Sequence, residues 1–258
     1  RKFNALAILN FPPIEDCIRY VNGSPNGFDM NDVTRRGSGI SLPTQLQGAS
    51  WCAFYTQLKV SDGISRFVIP SAGLVSNLFM GKWAGGLPYS VIAGPNRGTI
   101  RDQGVIGSDY PYAKPDLECL EPFGVNAIIF VPRKGMMINS NQTAMQSPVT
   151  ALSKIHVREL VTFLQDTVED MLRGYQWEFN TSTLRDAVKL KCETYCELIK
   201  SNGGLYAYRV QCDEKNNTPE IIDNEMMVVD LEIEPARAGG KMVQQLIIHR
   251  TGGLTGSR

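Results

Sequence analysis

The residues that could perform chemistry are few in this sequence and lie far apart. Cys192 and Cys196 are four residues apart on a predicted helix, a spacing that puts two thiols on one face, as in a metal site. The other ligands would have to come from His156, His249 or a distant cysteine, since the sequence contains no Cys-x-x-Cys pair. Buried free thiols that act as small apolar side chains are the favoured interpretation. The sequence therefore predicts no metal site and no cofactor.

Three further patterns also favour structural roles over catalysis. Segment 94–98 is glycine-rich but lacks the Lys-Ser/Thr pair of a phosphate-binding loop, and its proline removes an amide, so a plain turn is expected. No nucleophile is placed beside either histidine, so structural histidines are expected. Acids at the end of the chain alternate with apolar residues, which predicts the solvated face of a strand. These acids are Glu220, Asp223, Asp230, Glu232 and Glu234, and the apolar residues are Val229, Leu231 and Ile233.

One enzymatic alternative stays open. An α/β enzyme could place its pocket near Trp83 to Arg97 and hold an anionic substrate with Arg97 and Arg101. A deep pocket with a perturbed acid or base would support that alternative.

Composition and charge exclude several other classes. The chain has 258 residues, with 26 Lys+Arg against 26 Asp+Glu, and this balance argues against a strong grip on nucleic acid or an anionic membrane. The apolar run at 125–131 is far shorter than the roughly 20 residues that a membrane helix requires. Six cysteines in a chain of this length do not make a disulfide scaffold, which favours synthesis in a reducing cytoplasm. A soluble globular chain is expected.

The first half is predicted to alternate strands and helices. Its expected strands are Asn4 to Phe11 and Ser50 to Val60, and its expected helices are Ile14 to Val21 and Ala72 to Met80. Gly81 to Pro122 is rich in glycine and proline and is expected to form an irregular surface crossover. Val125 to Val131 and Met136 to Ile138 are predicted to form a hairpin with Gly135 in its turn.

The second half has a different pattern. Apolar spacing predicts helices over 153–173 and 182–201, the latter capped by Thr181 or Ser182 and stopped by Gly203-Gly204. Three strands should follow, at Tyr206 to Cys212, Met226 to Ile233 and Met242 to His249. We therefore predict an α/β (α+β) protein with mixed sheets flanked by helices and a two-part core. The expected domains are 1–147, an α/β core, and 148–258, with two helices and three strands.

A series of segments, in chain order and over nearly the whole length, carries a family resemblance. They resemble the contractile tail sheath proteins of phages. In two places the chain departs from that pattern: His156 and Glu159 stand where the family has Asn and a second Arg, and 238–242 replaces an Ala-Glu-Phe-Ile stretch. The matching segments are Ala5–Pro12, Ser50–Val60, Ile69–Gly73, Lys82–Gly98, Gly124–Ile128, Ile155–Val161, Trp177–Asn180, Tyr208–Asp213, Asn217-Thr218, Ile222-Asp223, Leu231–Pro235 and Leu246–His249.

The resemblance implies a structural, non-enzymatic virion protein made late in infection. Its copies would assemble helically around the tail tube and contract, driving the tube through the host envelope for genome delivery. The implied partners are neighbouring sheath subunits, the tail tube, the baseplate and the tail terminator, with no nucleic acid and no membrane. The implied location is the virion tail, after assembly in the host cytoplasm. The resemblance does not distinguish a phage tail from a tailocin or a secretion-type contractile machine. A scaffold unrelated to phage would instead form a closed oligomer.

The resemblance also points to a site of contact between subunits. In the family, terminal strands of neighbouring subunits add to the sheet of a third, which is β-augmentation. The candidate strand here consists of Met242, Val243, Leu246, Ile247 and Ile248. Since the chain begins at Arg1 and ends at Arg258, we expect a truncated or protease-resistant core, with a giant myophage as one candidate source. Such a core is expected not to polymerise without its terminal arms.

Overall fold

The computed structural model describes residues 5–11, 49–102, 104–146 and 149–240. The predicted helix at 14–21 and the predicted strand at 242–249 lie outside these ranges. The helices are α1 (Ala72–Ala84), α2 (Gly94–Arg97), α3 (Lys114–Leu120), α4 (Ile155–Arg173), α5 (Ser182–Ser201) and α6 (Pro219–Asp223), with short 3-10 turns at Ala49–Trp51, Glu121–Phe123 and Ala151–Ser153. The strands are β1 (Ala7–Asn10), β2 (Cys52–Tyr55), β3 (Leu58–Ser61), β4 (Arg66–Ile69), β5 (Thr99–Ile100), β6 (Val105–Ser108), β7 (Val125–Asn126), β8 (Ile128–Val131), β9 (Gly135–Ile138), β10 (Leu205–Gln211) and β11 (Asp230–Pro235).

Three small sheets build the first half of the molecule. β1, β2 and β7 form a parallel sheet, in which Ala7 lies opposite Cys52 and Phe54 opposite Val125. The other two sheets are antiparallel, with the orders β4-β3-β6 and β5-β9-β8. With the helices around them, these mixed sheets confirm the predicted α/β (α+β) class.

The single strand predicted over 50–60 is wrong, because two strands of different sheets occupy this segment. The break falls at Thr56 and Gln57, whose side chains bond to other parts of the chain. The Thr56 hydroxyl accepts from the Ile128 amide at 2.9 Å, and the Gln57 amide donates to the Phe11 carbonyl at 3.0 Å. These bonds turn the chain from the parallel sheet into the antiparallel one.

The irregular crossover expected over 81–122 is also wrong. The segment contains the end of α1, all of α2 and α3, and strands β5 and β6. These elements span only two to seven residues, which is too short to show a hydrophobic period. Segment 94–98, expected to be a plain turn, forms a single helical turn with Pro95 in its first positions, where proline is tolerated.

The predicted hairpin is confirmed for Ile128–Val131 and the strand that contains Met136 to Ile138, whereas Val125–Asn126 forms β7 in the parallel sheet and Gly135 lies in β9 rather than in the turn. Ile129 pairs with Met137 and Val131 with Gly135. Gly135 has φ +86°, a conformation that glycine adopts without strain, and it opens the second strand.

The described part of the second half contains two long helices and one two-stranded sheet. Both helices are confirmed; α5 matches its predicted bounds, and the Thr181 hydroxyl caps it by accepting from the Leu184 amide at 3.2 Å. The strand predicted to start at Met226 starts at Asp230 instead, because Asn217 pairs with Val228 and keeps that stretch out of the sheet.

Among the residues that the structure describes, buried side chains form four core clusters. Two lie among the first-half sheets, around Phe54 and around Tyr55. The other two lie between α4, α5 and the β10–β11 sheet, around Leu160 and around Val188. Tyr89 of the first half belongs to the Leu160 cluster, so the two parts of the core are in contact. The domain division at 147/148 stays a prediction. Within the described residues, no helix combines the length and hydropathy needed to cross a bilayer.

Candidate assembly interface

The predicted inter-subunit strand cannot be placed in the fold. Met242, Val243, Leu246, Ile247 and Ile248 all lie outside the described residues. Its role therefore stays a prediction, and the candidate interface among the described residues is the last sheet before this segment.

That sheet consists of β10 and β11, paired antiparallel. Tyr208 lies opposite Ile233, and Val210 opposite Leu231. One face packs on the long helices, since Leu231 and Ile233 contribute to the clusters formed with α4 and α5. The other face carries the acids Asp230, Glu232 and Glu234, which are exposed. The prediction of a solvated strand face is confirmed for these three, whereas Glu220 and Asp223 lie in α6.

Both outer edges of this sheet are unpaired among the described residues. Each edge therefore presents peptide N–H and C=O groups that an added strand could bond. The ion pair between the two strands contributes little to holding them together. Arg209 and Glu232 are 3.8 Å apart, and their side chains are 68% and 71% exposed. A two-stranded sheet of this kind is marginal alone and relies on the helices beneath it.

The loop before β11 is fixed by two asparagines. Asn217, 2% exposed, donates to the Val228 carbonyl at 2.9 Å and accepts from the Val228 amide at 2.7 Å. Asn216 donates to the Gln211 carbonyl at 2.8 Å and to the Asp230 carboxylate at 3.0 Å. Asn217 thus forms the two hydrogen bonds with Val228 that a residue of a neighbouring strand would form. Together, Asn216 and Asn217 determine where β11 begins.

A buried polar contact joins the two halves of the molecule, and we call it the seam. Lys82 at the end of α1 forms an ion pair with Glu159 of α4, and each side chain is 6% exposed. The Lys82 ammonium also donates to the Ser90 carbonyl at 3.2 Å, and the Trp83 indole donates to Glu159 at 3.4 Å. Burial lowers the pKa of Lys82 to about 7. Nothing in the local sequence pairs these residues, so sequence reasoning missed the seam.

His156 links three segments beside the seam. One ring nitrogen, Nδ1, lies 2.6 Å from the Asn141 amide nitrogen, and the other, Nε2, lies 3.1 Å from the Ala236 carbonyl. A neutral ring that accepts at Nδ1 and donates from Nε2 satisfies both contacts. Burial lowers the pKa of His156, and the nearby charges of Lys82 and Lys154 lower it further. The prediction of a structural histidine is confirmed for His156, whereas His249 lies outside the described residues.

A second buried polar group was also missed. Asn126 is fully buried, and its amide donates to the Phe54 and Gln142 carbonyls at 3.0 and 2.8 Å. Its side-chain oxygen accepts from the Gln142 amide at 2.7 Å. An asparagine within an otherwise apolar run was the available signal, since a polar side chain there must find buried partners.

The groups proposed for enzymatic chemistry are not assembled into one site. Arg97 is exposed at the rim of a cavity of about 150 Å³ that His156 also lines, and Arg101 is exposed outside that lining. Cys192 and Cys196 are buried free thiols, as predicted, and burial raises the pKa of Cys196 to about 11. Within the described ranges, no cluster of three or more His, Cys, Asp or Glu side chains could hold a metal ion.

Comparison with known proteins relates this fold to one family. Residues 147–245 match the phage tail sheath C-terminal domain family. The tail sheath protein of Vibrio phage KVP40 is 29% identical over 170 residues, which is 66% of this chain and 25% of that protein. The tail sheath protein of Enterobacteria phage T4 is 28% identical over 160 residues, which is 62% of this chain and 24% of that protein. The chain thus spans about a quarter of the length of these two relatives.

The fold is also shared with a solved contractile assembly. The sheath complex of an extracellular contractile injection system, PVC, solved in its contracted state, superposes with a TM-score of 0.74 at 15% identity, covering 95% of this chain and 64% of that chain. Together, the matched segment at residues 147–245 and the two phage relatives show that this chain is similar to tail sheath proteins.

Proposed function

We propose that this chain is part of the structural subunit of a contractile tail sheath. The subunit polymerises helically around the tail tube, and its contraction drives the tube through the host envelope for genome delivery. It acts without enzymatic chemistry. The observation that carries the proposal is the β10–β11 sheet, which lies in the segment matched to the sheath domain and has two unpaired edges among the described residues.

Open sheet edges suit assembly without closure. A strand donated by a neighbouring copy would bond to one edge, and the receiving copy would donate its own strand to the next. Such contacts are heterologous, so they build an open helical lattice unless the rotation between copies closes a ring. Met242, Val243, Leu246, Ile247 and Ile248 remain the candidate donor strand.

Contraction requires subunits that move as rigid bodies while staying connected. The seam supports rigidity, because its ion pair and the His156 contacts tie α1, α4 and the segment after β11 together. Strand links at the sheet edges would keep the copies attached while other contacts rearrange. The energy for contraction would be stored in the lattice at assembly.

The proposed partners follow from this role. They are neighbouring sheath subunits, the tail tube, the baseplate and the tail terminator. The proposed location is the virion tail, after assembly in the host cytoplasm.

Electron microscopy tests the proposal. The natural full-length protein, expressed alone and negatively stained over a range of concentrations, is expected to form hollow tubes with a helical repeat. Small closed particles at high concentration would contradict the sheath role and favour the closed scaffold. Turnover of a small molecule at the cavity beside Arg97 would favour the enzyme.

A further inference from the structure

Two large aromatic side chains project into solvent from the turn between α4 and α5. Trp177 is 90% exposed and Phe179 is 88% exposed. A single exposed apolar residue needs no explanation, but two aromatic side chains separated by one residue form a patch of the kind found at interaction sites. We call Trp177, Glu178 and Phe179 the aromatic knob.

The turn that carries the knob is held by hydrogen bonds. The Asn180 side chain donates to the Met226 carbonyl at 3.0 Å and accepts from Arg185 at 2.9 Å. The Thr181 amide donates to the Phe179 carbonyl at 2.8 Å. Trp177 has φ +74°, which is unusual for a bulky residue. A projection that is already ordered loses little conformational freedom when it binds.

An open groove lies along α4 and α5, near the end of α1. Its volume is about 480 Å³, and its apolar lining comes from Trp83, Phe163 and Met171. The groove is open to solvent, so a side chain that projects from another molecule could reach its apolar lining.

Three charged side chains also line the groove: Asp166, Asp170 and Lys191. Asp170 lies 3.5 Å from Arg173, and Asp166 has a contact of its own within the chain. The Lys191 ammonium lies 5.1 Å from the centre of the Tyr175 ring and forms no ion pair within the described part of the chain. Of the charged side chains that line the groove, Lys191 is therefore the most available for an ion pair with another molecule.

We infer that the aromatic knob of one copy docks in the α4–α5 groove of a second copy, with Glu178 facing Lys191. The inference rests on the proposed function, because it needs many copies held side by side. The opposite charges of Glu178 and Lys191, together with apolar side chains on both the knob and the groove, favour a second copy as the occupant. Where the knob of each copy enters the groove of the next copy without the reverse contact, the interface is heterologous, as an open lattice requires.

The size of the contact indicates when it forms. Two aromatic side chains bury roughly 150–250 Å² each, which is well below the roughly 800 Å² per partner of a stable interface. The knob therefore cannot hold two free copies together, and it docks where strand addition already keeps them adjacent. A small contact of this kind can break and re-form when subunits move.

Charge reversal tests the contact between copies. The natural full-length protein is prepared as wild type, Glu178→Lys and Lys191→Glu, and the critical concentration for tube formation is measured by sedimentation and electron microscopy. Each variant alone places like charges opposite each other, so its critical concentration should rise about tenfold or more. An equimolar mixture of the two variants should return to within about twofold of wild type, because each knob then meets an oppositely charged groove of the other variant.

An apolar variant and a control complete the design. Trp177→Ser/Phe179→Ser should raise the critical concentration at least as much as either charge reversal. Ile64→Ser is the matched control: Ile64 is 95% exposed in the β3–β4 turn, and its loss should leave assembly unchanged. Circular dichroism checks that each variant is folded.

The outcomes separate this inference from the proposed function. Absence of tubes in the wild-type protein would count against the sheath role itself. Wild-type critical concentrations for the knob variants would overturn the docking contact and leave the sheath role intact. Failure of the mixed variants to recover, with each one impaired, would overturn the pairing of Glu178 with Lys191 between copies.

Discussion

Polar groups are buried and paired at the seam, whereas they are exposed or unpaired at the described edges of the β10–β11 sheet. At the seam, Lys82 and Glu159 are paired with each other and removed from solvent, so the bonding capacity of these charges is used within the chain. At the sheet, the peptide groups of two edges are unpaired among the described residues, and the Arg209–Glu232 pair beside them is exposed. The difference indicates a subunit with a rigid interior, whose free hydrogen-bonding groups lie at its surface.

Breaking the seam should produce the largest loss of stability. Glu159→Leu leaves the Lys82 ammonium buried without its counter-charge, which costs about 3–5 kcal/mol of unfolding free energy. Urea denaturation measures the loss. Lys82→Met/Glu159→Leu removes both charges and should recover most of it, since an apolar pair is tolerated where an ion pair was buried. Equal losses in the single and double variants would mean that packing, rather than charge, holds the seam.

The loop that positions β11 should be the next most sensitive feature. Asn217→Ala removes both bonds to Val228 from a buried site and should lower the free energy of unfolding by about 2 kcal/mol. Asn224→Ala is the control, because its side chain bonds only the Glu220 carbonyl at an exposed position, and it should change stability little. If the two variants lose equal stability, Asn217 does not hold the sheet.

The pH dependence of stability should depend on His156. Its pKa is lowered in the folded protein, so below pH 6.5 the unfolded chain takes up a proton more readily than the folded chain. The stability present above pH 6.5 should therefore fall as the pH decreases towards the folded pKa. His156→Gln should flatten this dependence in urea titrations between pH 6.5 and 5, below the pKa of about 7 at which Lys82 is protonated in the folded chain. An unchanged slope would show that other groups titrate in this range.

The smallest effect is expected on the exposed face of the sheet. Arg209→Ala removes an ion pair between side chains that are largely in solvent and should change unfolding free energy by less than about 0.5 kcal/mol. Thermal melts of Arg209→Ala, Glu232→Ala and the double variant measure the coupling. A coupling energy above about 1 kcal/mol would show that the Arg209–Glu232 pair stabilises the fold more than its exposure indicates.

The elements that sequence predicted best are those with enough residues to show a period. Helices α4 and α5 have apolar stripes over 19 and 20 residues, and Thr181 and Gly203 mark the ends of α5. Strands β5 and β7 have two residues each, so no alternation can identify them. Their positions follow from tertiary pairing with β9 and β2.

The candidate interface was predictable only in part. The alternating acids of β11 identified a strand with one solvated face, and the family resemblance supplied the expectation of strand addition. The seam could not be read from the sequence, because Lys82 and Glu159 lie far apart along the chain and each resembles an ordinary surface charge. The start of β11 was missed because one side chain, Asn217, takes the place of a strand neighbour.

A helical reconstruction of the assembled tube by electron cryomicroscopy would show whether neighbouring copies exchange strands. The β10–β11 sheet is expected to gain at least one strand from a neighbouring copy, with residues 242–249 as the expected donor. The seam is expected to be unchanged within each subunit. A tube in which both edges of this sheet face solvent, or are covered by the same subunit's own chain, would contradict assembly by strand exchange.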